Sequence, residues 1–191
     1  MAPPPLATPA QLGNFLQQTI DPADPVALQL LAQASALIRR YMDMTVTAVA
    51  GDVERCSPVG NSVFLKEAPI TAISQLELLD PWAGTWTTVQ TTDYDYDLDT
   101  GEVYRGYVNN TGVRWPTDRR SWRVTYDHGF ATVPDDIAGV CYGVAARFYT
   151  TPAGIDSERT GQRQVKYDLR NDDFTALERM ILDGYRHMRV R

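Results

Sequence analysis

The sequence is short of the residues from which most active sites are made. It holds two histidines and two cysteines in 191 residues, scattered through the chain with no His/Cys cluster for zinc. Cys56 and Cys141 show no metal-ligand spacing and read as free thiols. No apolar run approaches the ~18 residues a membrane span needs. The opening Met1-Ala-Pro-Pro-Pro5 lacks the charged start and apolar centre of a secretion signal, so synthesis in a cytosol is the expectation. A Gly-rich phosphate loop and a Gly-x-Ser-x-Gly elbow are also missing. Asp127-His128, at a strand-to-turn junction, leaves a hydrolase reading open beside the plainer one of a structural histidine next to a turn glycine. The expectation is a protein without catalytic residues, cofactor or metal.

What is present is an ordinary globular composition, 43% hydrophobic and 22% charged, with an uneven distribution of charge. The net charge is −6. Residues 1–158 carry 10 basic and 19 acidic side chains, a balance of −9, whereas residues 159–191 carry 8 and 5, a balance of +3. The acidic bulk argues against a protein that grips nucleic acid by neutralising phosphates. The basic end is either a solvated terminus or a segment that seeks an acidic partner.

The chain divides by its periodicity. Thr8-Pro9-Ala10-Gln11 reads as a capping box that opens a short helix with Leu12, Phe15 and Leu16 on one stripe. Asp21-Pro22-Ala23-Asp24-Pro25 breaks it, and Leu30, Leu31, Ala34, Leu37, Ile38 and Tyr41 trace a second helix. These N-terminal helices span 8–44. From 45 to 127 the period becomes extended, with candidate strands at 62–65, 70–79, 86–89, 94–98, 103–108 and 123–126. Residues 107–120 fit no period and read as a long loop, in which Trp115 either plugs the sheet edge or meets another chain. Pro134-Asp135-Asp136 opens a central helix over 134–149, whose apolar face is Ile137, Val140, Cys141, Val144, Ala145 and Phe148. Ala138, Gly139, Gly143 and Ala146 beside that face require a close neighbour, either another helix of this chain or a second subunit. Residues 150–171 form an extended arm in which 162–169 suits an added strand. A last helix, over 172–191, opens on the capping box Thr175-Ala-Leu-Glu178 and carries Leu177, Met180, Ile181, Tyr185 and Met188. The fold class expected is α+β: a bundle of about four helices with a small antiparallel β insert and an extended C-terminal arm, in one domain.

Asp93-Tyr-Asp-Tyr-Asp-Leu-Asp99 mimics a calcium loop. An EF-hand needs Gly at its sixth position and Glu at its twelfth; from Asp93 these are Leu98 and Tyr104, and from Asp95 they are Thr100 and Gly106, so the motif fails. Alternation instead predicts a strand with Tyr94, Tyr96 and Leu98 covered, four carboxylates facing water, and a turn at Asp99–Glu102.

The N-terminal helix pair from Thr8 to Tyr41, the strand passage Ser62-Val-Phe-Leu-Lys-Glu-Ala-Pro-Ile-Thr-Ala-Ile73, and Val124-Thr-Tyr-Asp-His-Gly-Phe130 running into Val133-Pro-Asp-Asp-Ile137 together resemble the head-tail connector, or head-to-tail adaptor, proteins of long-tailed, siphovirus-type bacteriophages. The helix Thr175-Ala-Leu-Glu-Arg-Met-Ile-Leu-Asp-Gly-Tyr-Arg186 resembles the end of adaptors from phages of actinobacteria. The resemblance implies a structural virion protein of the neck, a twelve-fold homo-oligomeric ring under the portal protein that extends the DNA channel and docks a stopper or tail-completion protein. DNA would pass without tight binding, in keeping with the acidic bulk, and no membrane is involved. Under that reading Arg159, Arg163, Val165, Lys166, Tyr167, Tyr185, Arg186, Arg189 and Arg191 are candidates for the portal or neighbouring-subunit contact. Asp93, Asp95, Asp97, Asp99 and Trp115 are candidates to face the lumen or neck. The alternative from another class is a monomeric carbohydrate- or protein-binding β module that uses Trp82, Trp86, Tyr94 and Trp115.

Overall fold

The computed structural model describes residues 3–105, 116–150, 157–160, 163–166 and 174–186. The chain folds as two compact units, one built from Met1–Asp43 with Val133–Arg186 and the other on Met44–Thr132.

In the helical unit, α1 (Pro9–Leu16) starts at the capping box expected for it. Gln11 N–H donates to Thr8 Oγ1 at 3.3 Å, and Thr8 N–H donates to Gln11 Oε1 at 2.8 Å, so two otherwise orphaned donors are paired. Helix α2 (Pro25–Met42) is capped by Asp24, whose Oδ1 accepts from Val26 N–H at 2.9 Å. Its buried line is Ala27, Leu31, Ala34, Ser35, Ile38 and Met42, while Leu30, Leu37 and Tyr41 are half-buried at its margin. The central α3 (Asp135–Thr150) buries Ile137, Val140, Cys141, Val144 and Ala145 as the period requires, together with Ala138 and Ala146. Ala138 N–H donates to Pro134 O at 2.9 Å, which puts Pro134 at the cap and not inside the first turn. Helix α4 (Ala176–Arg186) opens on the reciprocal bonds of Thr175 and Glu178. Its buried side differs from expectation. Leu182 is buried, whereas Leu177 and Met180 are 62% and 67% exposed; polar bonds from Glu178 and Tyr185, described below, turn the helix away from its most apolar stripe.

The β unit is larger than a small insert within a helical bundle. Strands β1 (Val49–Cys56), β3 (Ile70–Leu79), β4 (Trp86–Thr88) and β7 (Trp122–His128) form an antiparallel sheet in the order β1-β7-β3-β4. Strands β2 (Ser62–Phe64), β5 (Tyr94–Tyr96) and β6 (Glu102–Arg105) form a second, in the order β2-β6-β5. The sequence pattern missed β1, because Val-Ala-Gly-Asp-Val-Glu-Arg-Cys has no apolar alternation; it is an edge strand, exposed over its first five residues. Strand β7 alternates strictly, with Trp122, Val124, Tyr126 and His128 buried and the residues between them half-buried. Trp122, Val124 and Tyr126 pack with Cys56, Val63, Leu65, Ile70, Leu76, Leu78, Val89, Tyr94 and Val103 into one core. The two large polar aromatics there are paired: Trp122 Nε1–H donates to Pro116 O at 2.9 Å, and Tyr126 O–H donates to Glu54 Oε2 at 3.0 Å. In the arm, β8 (Ser157–Thr160) and β9 (Arg163–Lys166) make an antiparallel hairpin.

At the end of β7, Gly129 has φ +84°, and a Cβ built there would lie 2.5 Å from Thr47 O. Only glycine meets both demands. Gly129→Ala is expected to destabilise the β unit by more than about 2 kcal/mol, read as a lower urea midpoint by tryptophan fluorescence. An unchanged midpoint would show that the turn relaxes at no cost.

Candidate interaction surfaces

Strand alternation decides the Asp127-His128 question. Successive side chains point to opposite faces. Asp127 Oδ1 accepts from Gly51 N–H at 2.7 Å, while His128 is 2% exposed, its ring 5.2 Å from that of Tyr126. Its Nε2 lies 3.5 Å from Asp52 Oδ2, and neither ring nitrogen has a hydrogen-bond partner. Neighbours in sequence are thus not an acid–base pair in space. Among the described residues, no group of three or more His, Cys, Asp or Glu is placed to hold a metal ion, and no helix is long and apolar enough to cross a membrane. Both cysteines are free and buried. Burial, with the Glu54 carboxylate nearby, pushes the Cys56 thiol up to about 12, away from the reactive thiolate.

The acidic stretch becomes a hairpin. Strand β5 pairs with β6 from Tyr94↔Arg105 to Tyr96↔Val103, and the turn closes through Asp97 N–H to Glu102 O at 2.9 Å and Gly101 N–H to Asp97 O at 3.1 Å. Asp97 Oδ1 accepts from the N–H groups of Asp99 and Thr100 at 2.9 and 2.8 Å. Those bonds, the Thr100 amide first, hold its carboxyl below the ordinary value. Asp95, Asp97 and Asp99 are exposed as expected. Asp93 is not: it precedes the strand and is 3% exposed, so three carboxylates face water instead of four. Leu98, expected to be covered, is 49% exposed because the chain has already entered the turn.

The aromatic residues of the binding-module alternative do not form one platform. Tyr94 belongs to the core. The guanidinium groups of Arg55 and Arg123 lie 5.2 and 4.5 Å from the Trp86 ring centroid, and Arg123 is held by both carboxylate oxygens of Glu77. Trp82 alone of these three is open, at 87% exposure. Trp115 lies outside the described residues.

Of the candidates for a portal or subunit contact, Arg159, Arg163, Val165 and Lys166 fall on β8 and β9, in the register Glu158↔Val165, Arg159↔Gln164 and Thr160↔Arg163. Tyr167, Arg189 and Arg191 lie outside the described residues. Tyr185 and Arg186 bind within the helical unit. Tyr185 O–H donates to Asp136 at 2.8 and 2.9 Å, and burial together with that carboxylate pushes its phenol up to about 12. Arg186 lies 4.9 Å from the Tyr41 ring centroid and 3.5 Å from Asp183. The sequence did not single out the Arg147–Glu178 pair, joined at 2.7 and 3.1 Å. Its spacing in the chain carries no local signal. A Cβ on Gly143 would lie 3.6 Å from Glu178 Oε1, so the close neighbour of this glycine is α4 of the same chain; the contact found at Gly139 is Tyr142 of its own helix.

No family profile matches the sequence, and no curated protein matches it. Its fold does match solved chains. One, from the neck of a native gene transfer agent particle determined with C12 symmetry, is 18% identical with a TM-score of 0.58, the match covering 97% of this chain and 90% of that one. Another, from the neck of an empty particle determined with C6 symmetry, is also 18% identical, with a TM-score of 0.54 and coverage of 95% and 88%. A third, from the virion of a native particle, has 18% identity, a TM-score of 0.55 and coverage of 95% and 89%. This chain therefore shares the fold of chains found in the neck of phage-like particles.

Burial raises the Glu178 carboxyl, but bonds from Arg147 and Thr175 outweigh it and leave the group below its ordinary 4.5. A depressed value stabilises the fold above pH ~4.5, and that contribution is lost as pH falls through the folded-state value. Glu178→Gln should therefore cost about 1–3 kcal/mol at pH 7, with the gap to wild type narrowing below pH ~4.5. Denaturation at pH 7 and pH 3 checks this; an equal gap at both would count against the clamp.

Proposed function

We propose that the protein is a head-to-tail adaptor in the virion neck of a long-tailed phage or phage-derived particle. The observation that carries this reading is the fold match over 97% of the chain to a chain of a gene transfer agent neck. The resemblance drawn from separate sequence passages leads to the same class. In this reading copies of the chain assemble as a twelve-fold ring under the portal protein, extend the channel for DNA, and receive a stopper or tail-completion protein. The exposed Asp95, Asp97 and Asp99 face the lumen or neck, where like charge keeps the duplex sliding without holding it. The protein is a structural component with no catalytic task.

The β8–β9 hairpin and the basic C-terminal end supply contacts to the portal or to a neighbouring subunit. Among the described strands β8 and β9 pair only with each other. A two-stranded ribbon is marginal alone and gains by joining another chain.

Light scattering tests the assembly. A subunit of 21.4 kDa should move to about 260 kDa, twelve copies, alone or on mixing with the portal ring of the same particle; a 21.4 kDa species in both samples overturns the proposal. Deleting residues 157–169 should leave a folded subunit that no longer joins the portal, read by circular dichroism and by co-sedimentation. Normal incorporation of the deletion variant would remove the hairpin from the interface.

A further inference from the structure

Among the described strands, the two sheets of the β unit end in four edge strands, β1, β4, β2 and β5. Three of these are three residues long, the short edges by which natural sheets avoid pairing with other chains. Strand β1 is the exception, at eight residues. Its register with β7 shifts between Val49 and Asp52 and then runs unbroken from Asp52↔Tyr126 to Cys56↔Trp122. The irregularity blunts the start of this edge and leaves the regular stretch Asp52–Cys56 beyond it.

Hydrogen bonds on the far side of β7 show which way that stretch points. Ser121 O accepts from Leu79 N–H at 2.8 Å, and Thr125 O accepts from Ser74 Oγ–H at 3.1 Å. Residues 121, 123 and 125 therefore turn their peptide groups towards β3, because these groups alternate sides along a strand. Their opposite numbers on β1, Val53 facing Thr125 and Arg55 facing Arg123, turn theirs away from β7. The bond of Val53 N–H agrees: it goes to the adjacent side chain, Asp52 Oδ1, at 2.9 Å. A local bond of this kind, made by an exposed side chain, competes with strand pairing and exchanges for the carbonyl of an incoming strand. The Val53 side chain is 57% exposed and Arg55 is exposed too. The N–H and C=O groups of these two residues thus form a ladder edge that faces solvent.

The same chain carries a matching edge. Strands β8 and β9 have four residues each, and a strand of that length turns two residues towards a partner, as many as Val53 and Arg55 offer. A two-stranded ribbon gains by adding to a sheet. Charge favours the match: residues 44–132 hold 12 acidic and 7 basic side chains, whereas residues 157–166 hold one acidic and three basic. A ring closes by joining two different patches of one protein, one on each copy. We propose that the β8–β9 hairpin of one copy adds to the outer edge of β1 in the neighbouring copy, along Asp52–Cys56, and extends its four-stranded sheet. This rests on the ring reading above and names the surface that receives the hairpin.

Proline is tolerated on an edge strand where its missing N–H would face solvent, and there it blocks any strand that would join. Val53→Pro should keep the circular dichroism spectrum of the wild type and raise the concentration needed for assembly about tenfold or more, read by light scattering alone and with the portal ring. Val53→Thr, which keeps the N–H, should assemble as the wild type does. A second measurement leaves the edge N–H in place. Protein carrying Val53→Cys is mixed with protein carrying Gln164→Cys, under the conditions in which the wild type assembles, and treated with a short bismaleimide that reaches either strand of the hairpin. A cross-linked pair of 21.4 kDa subunits is expected, one that neither protein forms by itself. Absence of that pair, or assembly of the Val53→Pro protein at wild-type concentrations, overturns the proposal; should Val53→Pro fail to fold, the cross-link decides. Either result beside a wild type that still assembles removes the β1 contact and leaves the ring. A wild type that stays at 21.4 kDa in both samples removes the ring itself, and with it the neighbouring copy as the source of the hairpin.

Discussion

Strand β7 is paired on both edges, by β1 and β3, and has one face in the core. Because side chains alternate with a period of two, that placement admits a single register. A slip of one residue would carry Arg123 and Asp127 into the space of Trp122, Val124 and Tyr126. The other face supports the same register, since Arg123 meets Glu77 of β3 and Trp86 of β4. The edge strand β1, exposed along most of its length, exists because β7 offers it a ladder. The tight turn at Gly129 follows from how closely the strand end approaches Thr47.

The helical unit is organised differently. Helix α3 has small residues beside its apolar line, and α1, α2 and α4 all pack against it. Attachment of α4 is mostly polar: Tyr185 to Asp136, Tyr41 to Asp183 at 2.9 Å, and Glu178 to Arg147, with Leu182 its one buried side chain. Directional bonds fix how such a helix is rotated. This accounts for Leu177 and Met180 standing in solvent while a glutamate and a tyrosine face inward.

Much of this was legible in order along the chain. Caps at Thr8, Asp24 and Thr175 follow from local chemistry, in which a side chain satisfies a backbone group a few residues away; the strands read at 70–79 and 123–126 fall within β3 and β7, and the turn read at Asp99–Glu102 is found opening two residues earlier, at Asp97. The strand β1 was not legible, because an edge strand needs no apolar face. The Arg147–Glu178 clamp was not either, since its partners are distant in sequence and joined only by packing.

Local sequence alone set where the four helices start, the apolar lines of α2 and α3, the uneven charge, and the shortage of groups for catalysis. Each of these depends on composition or on contacts within a turn or two of chain. Tertiary structure alone decided that Asp93 is buried while Asp95, Asp97 and Asp99 are open, that His128 and Asp127 part company, and that Trp82 stands exposed over a cavity while Tyr94 and Trp86 are covered. These outcomes depend on which distant strand lies alongside, and burial is a property of that neighbour as much as of the residue.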